Sequence, residues 1–177
     1  MSISLYDATV PSYLQILGAA LGLIDKAEAF CAEKGISEQD LLATHFGEDM
    51  LPLAQQLKWL TTHSLGAIEG VRAGLFQPDR SPPAESLAAH REQISGTIAV
   101  LKAIAPEEIE SFIGRDMVFA VPARDFRIDF TAENFLLSFS LPNFYFHATT
   151  AYDLLRHLGA PIGKMDFLGQ PRIKMPA

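Results

Sequence analysis

The chain reads as one all-α domain, a four-helix bundle with a small β-hairpin inserted between its third and fourth helices. Three observations predict this. Four long segments carry apolar residues at helical spacing, and the period switches to alternation only between Met117 and Phe130. The size also fits, since 177 residues with 49% hydrophobic content suit a single domain over residues 1–177. Neither an internal repeat nor a low-complexity tract interrupts it.

Leu14, Leu17, Leu21, Ile24 and Cys31 recur at helical spacing and Gly35 supplies a stop, which predicts a first helix from about Pro11 to Lys34. Ser37-Glu-Gln-Asp40 has the capping-box pattern and opens a short helical turn through Leu41 and Leu42. A second long helix runs from about Asp49 to Gly74, with Pro52 in its first turn and a stripe of Leu53, Leu57, Leu60, Ser64, Ala67, Ile68 and Val71. Gln77-Pro-Asp-Arg-Ser-Pro-Pro83 is a loop, and the third helix spans about Ala84 to Ile104. Pro106-Glu-Glu-Ile109 starts another short helix.

Met117 to Val121 and the alternating Phe126-Arg-Ile-Asp-Phe130 form the two strands of the hairpin, with Pro122 to Asp125 as its turn. Residues 131–140 fit helix or strand. Pro142 then opens the last long helix, which ends at Gly159 before Pro161. Helical spacing on four segments assigns the core to Leu17, Leu21, Leu57, Leu60, Ile94, Ile98, Leu101, Leu154 and Leu158.

Fourteen basic against 21 acidic side chains give a net charge of −7 with no Lys/Arg cluster, so nucleic-acid binding has no electrostatic footprint. The most apolar stretch, Tyr13 to Ile24, is too short to cross a bilayer, and no secretion signal is visible at the amino end. A single cysteine, Cys31, agrees with a reducing cytoplasm, and its place on the buried stripe, without a positive neighbour, favours inert packing.

The functional question centres on Pro142-Asn-Phe-Tyr-Phe-His147. Asn143 and His147 lie one turn apart on the apolar face that also carries Leu154 and Leu158, and a buried imidazole needs a metal, a substrate or a protein hydrogen-bond partner. Asn143 has a competing role as a cap for the first turn of the last helix. His45, His90 and His157 lack ligand spacing and are expected at the surface. Tyr145, Tyr152 and Arg156 face away from His147, so the hairpin, the tail or a second subunit should cover them. The glycines of Gly159-Ala-Pro-Ile-Gly163-Lys164 serve to turn the tail back, with Phe167 and Leu168 docking on the bundle.

The last helix with Gly163-Lys-Met-Asp-Phe-Leu-Gly169, the opening Ser4-Leu-Tyr-Asp-Ala8, and Asp49-Met-Leu-Pro-Leu53 resemble an uncharacterised bacterial family of domain-of-unknown-function proteins in the DinB-like superfamily. The likeness spans nearly the whole chain. It implies a DinB-like four-helix bundle, often a homodimer. It also implies a divalent metal held by one histidine of the second helix and an H-x-x-x-H pair of the fourth. On this sequence His147 takes the second position of that pair, Asn143 replaces the first histidine, and His63 takes the position in the second helix, about 80° from the centre of its apolar stripe. Two nitrogens and one carbonyl oxygen would suit Zn²⁺, Ni²⁺ or Mn²⁺, in an incomplete version of the superfamily site. The resemblance thus implies a metal-dependent enzyme of hydrolase or thiol-transferase type with a degenerate site. The alternative is a metal-free protein that binds a small molecule or acts as a dimeric structural module.

Overall fold

The computed structural model describes residues 3–174. Helix α1, Leu5–Lys34, begins six residues before the expected Pro11 because the Ser4 hydroxyl accepts the Asp7 N–H at 3.0 Å and caps it. Pro11 therefore lies inside the helix and supplies no N–H to Asp7. The guanidinium of Arg172, returning from the tail, donates to the Asp7 carbonyl at 3.3 Å instead. Gly35, at φ 66°, closes α1 as expected. By length and composition α1 could cross a bilayer, but half of its most apolar window is buried within this fold, so packing accounts for its apolarity. Helix α2, Glu38–Leu42, follows from the predicted Ser37 cap.

The second long helix is two. Helix α3, Leu53–Thr62, starts four residues late, with Pro52 at its cap, and α4, Leu65–Ala73, continues the same apolar stripe. The break lies at Ser64, whose φ of −113° and ψ of −90° leave the helical region while its hydroxyl donates to the Leu60 carbonyl at 2.6 Å. Helix α5, Leu87–Lys102, is shorter than expected at both ends, starting from a Ser86 cap on the Ala89 N–H. Helix α6 is Pro106–Glu110.

The hairpin is present, as β2, Asp116–Val121, and β3, Phe126–Thr131, in antiparallel register with Phe119 opposite Ile128. It is not the whole sheet. The two-residue strand β1, Leu75–Phe76, pairs in parallel with β2, Phe76 beside Phe119, giving three strands in the order β1-β2-β3. The fold is therefore mainly helical with a small mixed sheet, which corrects the strictly all-α reading.

Residues 132–140 resolve as helix: α7, Ala132–Asn134, a π-helical turn over Phe135–Ser140, then α8, Leu141–His157. Pro142 cannot donate the backbone bond that an α-helix requires there, and the widened π turn accommodates it. Helix α9, Lys164–Leu168, docks the tail on α1, where Gln15 donates to the Leu168 carbonyl at 2.9 Å and Lys26 pairs with Asp166 at 2.7 Å. Of the expected core, Leu17, Leu57, Leu60, Ile94, Leu101 and Leu154 are buried, and Leu21, Ile98 and Leu158 are half-buried against them.

Candidate functional site

His63 caps the C-terminal end of α3, where the break at Ser64 turns it into the bundle. It is buried at 3% exposure and not at the core edge where helical arithmetic had placed it. The position is pinned from the opposite side. Ser140, the last residue of the π turn, donates its only hydroxyl proton to the His63 carbonyl at 2.7 Å, so the phenol of Tyr13 donates to Ser140 Oγ at 3.1 Å. The π turn and the helix break thus lock together and bring α8 over the end of α3.

His147, on α8, meets His63 there. Their ring centroids are 5.5 Å apart and their planes 15° apart. Trp59 completes a triangle, 5.2 Å from His63 and 5.5 Å from His147, also nearly parallel to both. Three parallel rings at equal separations cannot all lie face to face, so at least one pair meets side by side. Phe76 and Phe139 close the His63 side at 5.7 and 5.9 Å. Gly70 makes the first of these contacts possible, because a Cβ there would stand 2.9 Å from Phe76 Cβ.

The protonation of His147 follows from its neighbour. Gln56 donates its amide N–H to the Leu51 carbonyl at 2.9 Å, which turns its Oε1 towards His147 Nδ1 at 2.7 Å. An amide oxygen only accepts, so Nδ1 carries the proton and Nε2 of a neutral His147 carries the bare lone pair. Burial pushes the His147 pKa down to about 4. Burial, and then the neighbouring His147, push that of His63 down to about 3, so both imidazoles are neutral at pH 7. Nδ1 of His63 and Nε1–H of Trp59 are buried without a hydrogen-bond partner among the described residues.

Asn143 is engaged at its amide nitrogen. Its Nδ2 donates to the Phe139 carbonyl at 2.7 Å, supporting the π turn that Pro142 disturbs. His45 and His157 are exposed as expected, but His90 is not: it is buried at 1% in α5, and burial lowers its pKa. Of the outward tyrosines, Tyr152 is covered by Phe167 of the tail at 5.7 Å, while Tyr145 stays 39% exposed. Gln56 and Trp59 are site residues that sequence reasoning missed. Their signal was available, since Gln56, Trp59 and His63 recur at i, i+3 and i+7 on one side of α3.

Neutral imidazoles, one of them oriented through Nδ1 by an amide carbonyl, are the donors that borderline transition metals take. Two rings on one ion, with N–metal distances of about 2.1 Å, have centroids roughly 5 to 6 Å apart, which the pair matches. The set fits two positions of such an ion. It is not a closed centre, for among the described residues no group of three or more His, Cys, Asp or Glu comes together.

Residues 5–168 match the family model described as Domain of unknown function (DUF1993). Among solved structures, the chain is similar to a DinB family member protein from Shewanella denitrificans, with 27% identity and a TM-score of 0.79 over 97% of this chain and 96% of that one. Comparison with curated proteins returns no match.

Proposed function

The chain belongs to the DUF1993 family of unknown function, and we propose that its functional centre is the His63–His147 pair, holding a divalent Zn²⁺, Ni²⁺ or Mn²⁺ ion through two imidazoles. The observation that carries this reading is the buried, unpartnered Nδ1 of His63 beside a His147 whose Nε2 lone pair is left bare by Gln56. Gln56 fixes the tautomer, burial keeps both rings uncharged, and Trp59 and Phe139 exclude bulk water. Asn143 serves the helix turn and is left out of the ligand set. An ion so bound would supply Lewis acidity towards a water or a thiol, in keeping with a hydrolase or thiol-transferase.

Metal analysis of untagged protein purified without added metal tests the reading. Close to one ion per chain is expected, lost in His147→Ala and retained in His157→Ala. Metal-free wild-type protein that also fails to take up Zn²⁺ in a calorimetric titration would sink it. The second reading, a metal-free site for a small polar molecule, is favoured by one observation: the unpartnered Trp59 N–H seeks an acceptor and cannot ligate a cation. We further propose a cytoplasmic homodimer, associating through the face of α8 that leaves Tyr145 and Phe146 39% and 51% exposed.

A further inference from the structure

On the reading of the histidine pair as a metal centre, we infer that Ser140 and Tyr13 are its positioning residues: acting through the His63 carbonyl, they set where the His63 ring stands relative to His147, and with it the affinity for the ion. His63 needs such a hold. It caps the end of α3 with φ −91° and ψ 10°, and Ser64 after it leaves the helical region altogether. Regular helical geometry therefore does not dictate where the His63 ring goes. Its place depends on what holds the backbone at the break.

The hold comes from the segment that carries the partner histidine. Ser140 has φ −67° and ψ −52°, both helical, and α8 continues from Leu141 to His157. Ser140 and His147 therefore fall on one face of a continuous helical run, about two turns and about 10 Å apart. One takes the His63 backbone and the other meets its ring. The Ser140 hydroxyl donates to the His63 carbonyl at 2.7 Å, while the imidazole centroids of His63 and His147 are 5.5 Å apart. A single helix thus grips both ends of His63, and the separation of the two imidazoles follows from its rigidity.

Tyr13 ties the same point to α1. Its phenol, fully buried, donates to Ser140 Oγ at 3.1 Å, and burial raises its pKa, so it keeps the proton that it donates. Ser140 is fully buried as well, so deleting its hydroxyl leaves the His63 carbonyl without its donor in a place closed to bulk water. The backbone at the break then relaxes, and the work of returning the ring to ligating distance falls on metal binding. The two residues differ in directness. Tyr13→Phe takes a donor from Ser140 but leaves the Ser140 proton on the His63 carbonyl.

Zn²⁺ titration of the full chain against a competing chelator, with the His63 ring proton shifts of the metal-free protein, tests the inference. Ser140→Ala should weaken Zn²⁺ binding about tenfold, the equivalent of one hydrogen bond. It should also move the His63 ring protons, whose shifts report the Trp59 and His147 rings at 5.2 and 5.5 Å. Tyr13→Phe should do the same to a smaller degree, about threefold in affinity. Leu101→Ala, which truncates a buried side chain on α5, should lose stability and leave both readouts at wild-type values, separating positioning from general destabilisation. A folded Ser140→Ala protein with unchanged ring shifts, or with undiminished affinity, would overturn the inference, as would an equal loss of affinity in Leu101→Ala. Should Ser140→Ala not fold, wild-type values of both readouts in Tyr13→Phe would overturn it. A wild type that takes up no Zn²⁺ would sink the metal reading instead, and the ring shifts, read without metal, still decide the positioning.

Discussion

Acidification should destabilise this protein steeply through His63 and His147. A histidine in the unfolded chain titrates near 6.5. Folding holds His63 down to about 3 and His147 down to about 4. The folded pKa values are depressed, so the stability is fully present above pH 6.5 and is lost as pH falls towards 4, where the unfolded chain binds protons that the folded chain refuses. Each such histidine contributes a slope of about 1.4 kcal/mol per pH unit, so the pair gives about 2.7 and a loss on the order of 4 kcal/mol between pH 7 and 5. That is a large share of the roughly 5 to 15 kcal/mol by which domains are stable. His90, also depressed by burial, acts in the same direction, so the test is a difference between proteins. The carboxylates whose pKa values folding lowers, Asp79, Glu133 and Asp166, lose their contribution only below the window. Urea unfolding with a chelator present, at about pH 7, 6 and 5, should show a mean slope about 2 kcal/mol per unit smaller in the His63→Asn/His147→Gln double variant than in the wild type. Equal slopes would refute the buried, neutral pair whatever the absolute stabilities.

Leu154, 1% exposed on α8, should cost about 2 to 5 kcal/mol when cut to alanine in the same urea assay; a loss of a few tenths would contradict its place in the core. Gly70→Ala should cost about 1 to 3 kcal/mol, because the added methyl displaces Phe76 from His63. Gly18→Ala, with open space around the new Cβ inside α1, should stabilise by up to about 1 kcal/mol. Light scattering at tens of micromolar should give twice the chain mass, falling to one chain mass in Tyr145→Lys/Phe146→Lys; a monomeric wild type would remove the dimer.

The helices were legible because their stripes are long. Leu53 through Val71 showed the correct buried face even though one predicted helix proved to be two, since the break at Ser64 preserves the stripe and depends on a hydroxyl bond to Leu60 that spacing does not encode. Strand β1 was missed because two residues carry no period, and its pairing with β2 is a tertiary event. The ambiguity over residues 131–140 had a physical source, a π turn ahead of Pro142 that fits neither template. At the site, the convergence of His63 and His147 was anticipated, the first from the superfamily resemblance and the second also from its apolar stripe. The turn before Pro142 claims the Asn143 amide nitrogen through a bond that helical spacing does not encode, and Gln56 was overlooked as one of several polar residues on α3. The burial of His90 had no sequence signal beyond its neighbours Leu87 and Ile94.

The central claim is that His147 presents a bare Nε2 to an ion shared with His63, and nitrogen-15 NMR of the imidazoles reads it directly. At pH 7 the metal-free protein should show His147 protonated at Nδ1 and unprotonated at Nε2, and one equivalent of Zn²⁺ should shift Nε2 while Nδ1 keeps its proton on Gln56. A proton on Nε2, or His63 and His147 spectra that Zn²⁺ leaves unchanged, would contradict it.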